Sequence, residues 1–331
     1  MSNVYRVFGA ELSPYSVKVR SYFRYKKIPH EWVVRHVGNM AEFQQHAKLP
    51  LIPLVLTPDG RAAQDSTPII ENLEQTFPTP SIHPPDPSSA FLSALIEEYA
   101  DEWSNKPMFH YRWYYEADQE SAADRLARDN LPGAPEDAIT KTAASIRERM
   151  VPRLSFVGSS PETKDVIELS FQRQLAILDP HLATRPYLFG RRPVLADFGL
   201  AMQLYECSTD PTPARIMTAS APNVLTWIQR MLNPTNDGDL ESWEALAPTL
   251  EPLLTQEVGG IFLPWSTANA EALAAGERTL SVELNGVRFT QDTQKYHAKS
   301  LGALRARYAA VENKTALDPV LERTGCRKWL T

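Results

Sequence analysis

Ser13 stands directly before Pro14 in SPYSVKVRSYF (13–23), where a run of aromatic, basic and β-branched residues begins. A serine followed by proline starts a helix: the hydroxyl accepts from an orphan amide and the proline fits the first turn. The same hydroxyl, at a helix N-terminus that attracts negative charge, is also placed to face an anionic ligand atom. A second candidate is Asp65-Ser66, which opens DSTPIIENLEQTF with Ser66 placed as the cap. Free helix amides and a hydroxyl hold a carboxylate, and an aspartate holds an ammonium group. The pair therefore suits the end of an α-amino acid as well as a plain helix start.

The elements that must position these residues follow from periodicity. VYRVF (4–8) and HEWVV (30–34) read as strands, with a helix from Ser13 to Lys27 between them. AEFQQHA reads as a short helix, PLVLT and RAAQ around the turn PDG as a hairpin, and the stretch from Asp65 as a third helix. This βαβ, αββα order occupies residues 1–80. A proline-rich stretch, PTPSIHPPDP (78–87), supplies a semi-rigid linker over 81–87. Residues 88–238 show apolar residues at spacings of three and four and are expected to be all-helical. The extension 239–331 adds two helical stretches, a hairpin of TLSVEL and VRFTQ about Asn285-Gly286, and a last helix, TQKYHAKSLGALRARYAAV. Phe262, Leu263, Trp265 and Leu301 need burial, so the extension is expected to fold back on the helical domain.

Composition excludes several classes. The chain has 331 residues, 43% of them apolar, and a net charge of -6, which does not favour nucleic acid or an anionic membrane. Lys18, Arg20, Arg24, Lys26 and Lys27 read as one solvated helix face. No apolar run reaches membrane-spanning length and no signal segment is seen, which implies a cytoplasmic protein. The two cysteines, Cys207 and Cys326, and seven scattered histidines lack metal-ligand spacing, so no metal is expected.

With Ser13 opening the first helix, Ile52-Pro53 the third strand and Asp65-Ser66 the third helix, the sequence resembles the cytosolic glutathione S-transferases over roughly residues 3–235. YLFGRRPVLADFGLAMQL and PNVLTWIQRM are similar to that family's helical-domain pattern. The resemblance implies an α/β thioredoxin-like N-terminal domain with an all-α C-terminal domain, a homodimer, and glutathione as co-substrate. It makes Ser13 the catalytic residue and Ile52, Pro53, Asp65, Ser66 and Lys48 the glutathione-binding set. A cis bond before Pro53 would turn the polar backbone of Ile52 toward an extended tripeptide. Leu51 stands where the family often has Lys or Gln, which leaves Lys48 or Arg35 to meet the glycine carboxylate. Val194 replaces the Ser or Thr that partners Asp197, so that capping box is expected to be incomplete.

Residues 99–115, YADEWSNKPMFHYRWYY, are far richer in rings than the 9% average. Such rings fill helix contacts, yet the corresponding helix of the family lines the electrophile pocket. Trp103, Phe109, Tyr111 and Trp113 are thus candidates for holding an apolar electrophile, aromatic ones included. Two readings follow: a detoxifying glutathione transferase attacking a small-molecule electrophile, or a non-catalytic, glutathione-transferase-like interaction module. Ser13, Pro53, Asp65 and Ser66 together favour the enzyme, whereas Leu51 and the long extension favour the module.

Overall fold

Strict alternation along two short strands sets the first layer of the computed structural model, which describes residues 4–331. In β1 (Tyr5–Gly9), Val7 faces one side and Phe8 the other. Helix α1 (Pro14–Tyr25) leads to β2 (His30–Val34), parallel to β1, and then to α2 (Met40–His46). Strands β3 (Leu54–Leu56) and β4 (Ala62–Gln64) add antiparallel neighbours, so the sheet runs β2-β1-β3-β4. Helix α3 (Ser66–Thr76) closes the unit. Val7, Val55, Val17, Ile69 and Ile70 share one core, while Phe8, Leu54 and Leu56 meet Phe43 of α2 in another. This is the thioredoxin-like layer.

The proline-rich connection is tied down at several points. Lys26 donates to the carbonyls of Phe77 and Pro80 (2.6 Å each), Arg192 donates to that of Ser81 (2.6 Å), and Ile82 is buried. Helix α4 (Pro87–Tyr99) then runs through a widened π turn, Ala100–Ser104, into α5 (Asn105–Tyr114). Pro107 lacks the N–H that would bond to residue 103, and the helix widens just upstream of it. Next come α6 (Glu116–Asn130), α7 (Glu136–Met150), α8 (Lys164–Leu182) and α9 (Leu195–Ser208). Helix α9 is buried along nearly its whole length against α1 and α4. Half of its capping box is made: Asp197 accepts from Val194 N–H (2.9 Å), Leu188 N–H (2.8 Å) and the Trp227 indole (2.9 Å). Helices α10 (Pro211–Ser220) and α11 (Pro222–Met231) complete this part.

The extension packs on these helices. Helix α12 (Trp243–Leu253) passes through a second π turn, Leu254–Phe262, into α13 (Leu263–Ala274). The hairpin of β5 (Thr279–Leu284) and β6 (Val287–Asp292) turns at Asn285 and Gly286, both at positive φ (53° and 76°). Helix α14 (Lys295–Ala309) is followed by a further short helix, α15 (Leu317–Arg323), which the sequence reading did not contain. Phe262, Leu263, Trp265 and Leu301 are all buried. Trp265 meets Trp103 edge-on at 5.6 Å, and Phe289 reaches the same ring at 5.6 Å. Lys106 lies over Trp265, 4.0 Å from the ring centre, and donates to Gln291 (2.9 Å). No helix among the described residues is long and apolar enough to cross a membrane.

The basic face of α1 is not solvated. Lys18, Arg20 and Lys26 are buried and only Arg24 and Lys27 are exposed. Each buried cation has found a carboxylate: Lys18 pairs with Glu97 and Asp101, Arg20 with Glu11, and Lys26 with Glu74.

The seam between α8 and α12 carries an acid-sensitive contact. His181 lies between the Leu188 carbonyl (2.9 Å) and the Thr249 hydroxyl (2.7 Å). Burial pushes its pKa down from 6.5 to about 4, so it is neutral when folded. Because the unfolded chain takes the proton first, stability present above pH 6.5 is lost as pH falls toward 4, by about 3 kcal/mol at most. In denaturant titrations at several pH values, His181→Gln is expected to lose less stability than the wild type across that window. Parallel slopes would assign the acid sensitivity elsewhere.

Candidate active site

The loop from β1 to α1 carries Ser13 into place, and three ties hold it there. Gly9 ends β1 where a Cβ would lie 2.4 Å from the Trp32 ring and 2.8 Å from Ser16 Cβ, so only glycine allows this approach. From α5, Arg112 donates to the Leu12 carbonyl (3.0 Å) while bonding Glu206 (2.8 Å) and Asp210 (2.7 Å) behind it. Tyr15 donates to the Asp101 carbonyl (2.9 Å) and accepts from Asn105 (2.9 Å).

Ser13 caps α1 and is half-buried. Its Oγ accepts from the Ser16 N–H (3.3 Å) and from the Ser16 hydroxyl (2.9 Å). A hydroxyl has two acceptor lone pairs and one donor proton. With both acceptor positions taken by Ser16, the Ser13 proton has no acceptor among the described residues and is left to donate outward. Tyr5, the hydroxyl that β1 carries, sits at the far end of that strand against Phe23 and Phe77.

The Ile52–Pro53 bond is cis. Among the described residues no hydrogen bond engages the main-chain N–H or C=O of Ile52, since the β3 ladder begins at Leu54. Gln64 shapes the approach to it. Its side-chain oxygen accepts from Lys48 N–H (2.9 Å) and Leu49 N–H (3.1 Å), and its amide donates to the carbonyls of Leu49 (2.9 Å) and Leu51 (2.7 Å). Leu51 is 59% exposed and the Lys48 side chain is free in solvent. Arg35 is half-buried, lies over Phe43 (5.3 Å) and donates to the Pro50 carbonyl (3.1 Å). Burial and the neighbouring Arg149 lower its pKa. Among the described residues neither arginine has a carboxylate partner, so two positive charges face this loop.

At the start of α3 the roles of the acidic pair are exchanged relative to expectation. Asp65 holds the cap position at φ 78° without a side-chain capping bond, and Ser66 is the first helical residue, buried. Asp65 is exposed and accepts from the Tyr296 hydroxyl (3.2 Å) of the extension. Beside it Thr67 accepts from Lys18 (2.9 Å), and Lys18 also bonds Glu97 and, at 2.6 Å, Asp101.

Of the four aromatic candidates, three belong to the packing. Trp103 (0% exposed) is locked between Trp265 and Phe289 and donates to Ser170 (2.9 Å), and Tyr111 (1%) lies against Phe171 and Tyr115. Trp113 (1%) fills a satellite core with Ala122, Ala123 and Ile139 of α6 and α7. The sequence reading could not know that the extension would supply Trp265 and Phe289 as partners. Phe109 alone is half-buried; it borders the satellite core with Leu12, Met150, Val151 and Leu154. Leu12, which adjoins Ser13 in the chain, packs on the same core.

Arg112, Gln64 and Tyr296 were not singled out as site residues. Arg112 had a legible signal, a cation inside an aromatic helix facing Glu206 and Asp210 four residues apart; Tyr296 had none.

Residues 7–81 match the family described as the glutathione S-transferase N-terminal domain. The chain is 24% identical over 234 residues to an isoprene-epoxide glutathione S-transferase of Rhodococcus sp. (strain AD45), covering 67% of this chain and 92% of that one. It is 26% identical over 107 residues to the probable glutathione S-transferase GSTU6 of Oryza sativa subsp. japonica, covering 29% and 44%. Among solved structures, a glutathione S-transferase of Methylobacterium radiotolerans in complex with glutathione sulfonate is similar at 20% identity, with a TM-score of 0.43 over 74% of this chain and 94% of that one.

Gly9 offers the sharpest check of how Ser13 is placed. A methyl group there must displace the Trp32 ring or Ser16, and overpacking of this kind costs about 1–3 kcal/mol. Gly9→Ala is expected to remain folded with a lowered melting temperature and to show a displaced Ser16 in a crystal structure. An unchanged melting temperature with Trp32 and Ser16 in place would remove this constraint.

Proposed function

The chain is a member of the glutathione S-transferase superfamily through its N-terminal domain, and from that premise we propose that it activates the glutathione thiol for attack on a small apolar electrophile. The observation that carries this reading is the free proton of Ser13. Ser16 occupies both acceptor positions of the Ser13 hydroxyl, and among the described residues its proton has no acceptor. A thiolate there would accept that proton's hydrogen bond and lie at the N-terminus of α1.

The magnitudes suffice. A thiol titrates near pKa ~8.5, and about 1.4 kcal/mol of thiolate stabilisation lowers it by one unit. A hydrogen bond to a charged acceptor is worth about 1.5–3 kcal/mol and a helix terminus about 0.3–1. A shift of roughly one to three units makes the thiolate a major species near neutral pH without a general base.

In this reading the cysteinyl backbone pairs with the unengaged main chain of Ile52 at Pro53, and the γ-glutamyl end reaches Asp65 and Ser66. The glycine carboxylate falls to Arg35 with Arg149, which carry unpaired positive charge beside the loop, ahead of the solvated Lys48. The electrophile sits on the rim of Phe109, Leu12, Met150 and Val151. The relative from Rhodococcus is named for isoprene epoxide, so epoxides join aryl halides and isothiocyanates in a first activity panel. A two-fold dimer and a cytoplasmic place belong to the same reading, drawn from the resemblance.

Ser13→Ala separates cap from catalyst. Loss of a cap costs about 1 kcal/mol, which leaves the protein folded. Conjugating activity is expected to fall at least tenfold, with the pH profile of kcat/KM moved to the alkaline side. Ser16→Ala should keep a folded protein and lose activity less steeply, because the Ser13 proton is no longer steered. Full activity and an unmoved profile in Ser13→Ala would reduce the serine to a cap.

A further inference from the structure

A basic groove is built wholly from the helical part, where the end of α8, one face of α11 and the chain leading into α12 meet. It measures about 390 Å³ and is lined by Leu182, Arg185, Pro186, Arg191, Arg230 and Asp237 among others. Arg185 is neutralised by Glu241 (2.9 Å) and also donates to the Ala245 carbonyl (3.2 Å). The other two arginines are held in place without being neutralised.

Arg191 is fixed along both its main chain and its side chain. Its N–H donates to the Asp239 carbonyl (2.9 Å), its carbonyl accepts from Asp237 N–H (3.0 Å), and its Nε donates to the Asp237 carbonyl (3.0 Å). Gly238, at φ 144°, lets the side chain lie close: a Cβ there would come within 3.2 Å of Arg191 Nε. Arg230, half-buried, donates one N–H to the Pro186 carbonyl (3.0 Å), and its guanidinium lies 5.9 Å from the centre of the Tyr187 ring. Among the described residues neither has a carboxylate partner. A guanidinium carries five N–H donors in a planar fork, so one bond to a carbonyl orients it and leaves most of the fork, and all of the charge, for a ligand. Asp237 lines the groove as well, exposed and without an ion pair among the described residues. Even with Asp237 and Glu241 counted, the three arginines leave the groove net positive in a chain of net charge -6.

We propose that this groove binds a phosphate monoester, a ligand separate from the thiol and electrophile of the transferase reading. Two oriented forks on one groove suit a group with several strong acceptor oxygens and a charge near -2. The volume exceeds what a phosphate group alone fills, and Leu182, Ala183 and Pro186 line the remainder, so the body of the ester is small and apolar. Arg191 and Arg230 bind the phosphoryl oxygens, and Arg185, engaged with Glu241, braces the wall beside them.

Titration calorimetry of the full chain with phenyl phosphate at fixed ionic strength tests this, with benzoate as the singly charged control. Phenyl phosphate is expected to bind saturably in the millimolar range or below, and at least about tenfold tighter than benzoate. Arg191→Gln and Arg230→Gln should each weaken it about tenfold, with unliganded melting temperatures near that of the wild type. Should Arg230→Gln melt early, the exposed Arg191→Gln decides alone. Arg35→Gln, at the other unpaired arginines, should bind phenyl phosphate as the wild type does. Absence of saturable binding, equal affinity for the two probes, undiminished affinity in Arg191→Gln, or loss of binding in Arg35→Gln would overturn the inference and leave the transferase reading untouched.

Discussion

One buried ammonium group holds this architecture in register. Lys18, 1% exposed, bonds Thr67 at the start of α3 and the carboxylates of Glu97 and Asp101 where α4 widens into its π turn. Thr67 follows Asp65-Ser66 directly, and Lys18 lies little more than one turn from Ser13. Both helix starts that bear the candidate chemistry are therefore fastened to the same point on the helical domain. A buried ion pair contributes little net stability against an apolar replacement, but breaking one costs about 3–5 kcal/mol because a charge is stranded. The cluster thus acts chiefly on geometry. Two carboxylates share one ammonium, and Asp101 is raised to about 7 by burial against the pull of Lys18, with one buried oxygen left without a partner among the described residues.

The other polar ties work in the same direction. Arg112 spans from Glu206 and Asp210 to the Leu12 carbonyl, and Tyr15 reaches the Asp101 carbonyl, so the loop before Ser13 is gripped from the helical side. On the sheet side Gly9 lets the chain pass against Trp32 and Ser16. The extension is joined to this frame by an aromatic cage about Lys106, with Trp103, Trp265 and Phe289, and by the polar contacts of α14. One ring that the sequence offers to a substrate, Trp103, is spent on docking the extension, while Tyr111 and Trp113 are spent inside the helical part. Their burial removes them from solvent, while Tyr296 of the extension bonds Asp65 at the start of α3.

Local signals made much of this legible. Alternation in VYRVF and HEWVV, the Ser-Pro start of α1 and the Asn-Gly hairpin each depend on neighbours in sequence, and each stands within a residue or two of where its pattern placed it. The positions of Ser13, Ile52-Pro53 and Asp65 at the openings of their elements were legible for the same reason. What was not legible depends on distant partners. Lys18 reads as a surface lysine until Glu97 and Asp101 arrive some eighty residues later, and Asp65 replaces Ser66 as cap because the chain enters α3 at a positive φ that no spacing rule announces. The fate of Trp103 was settled by Trp265 and Phe289, more than 160 residues away in the chain.

The most direct test of this frame is a double-mutant cycle between Lys18→Met and Glu97→Gln, read by chemical denaturation together with glutathione affinity. The frame predicts that Lys18→Met alone loses about 3 kcal/mol or more and that adding Glu97→Gln recovers part of it, since the stranded carboxylate is gone. Glutathione affinity should stay weakened in both variants because the starts of α1 and α3 are no longer tied together. Additive losses of stability with wild-type affinity in Lys18→Met would contradict it.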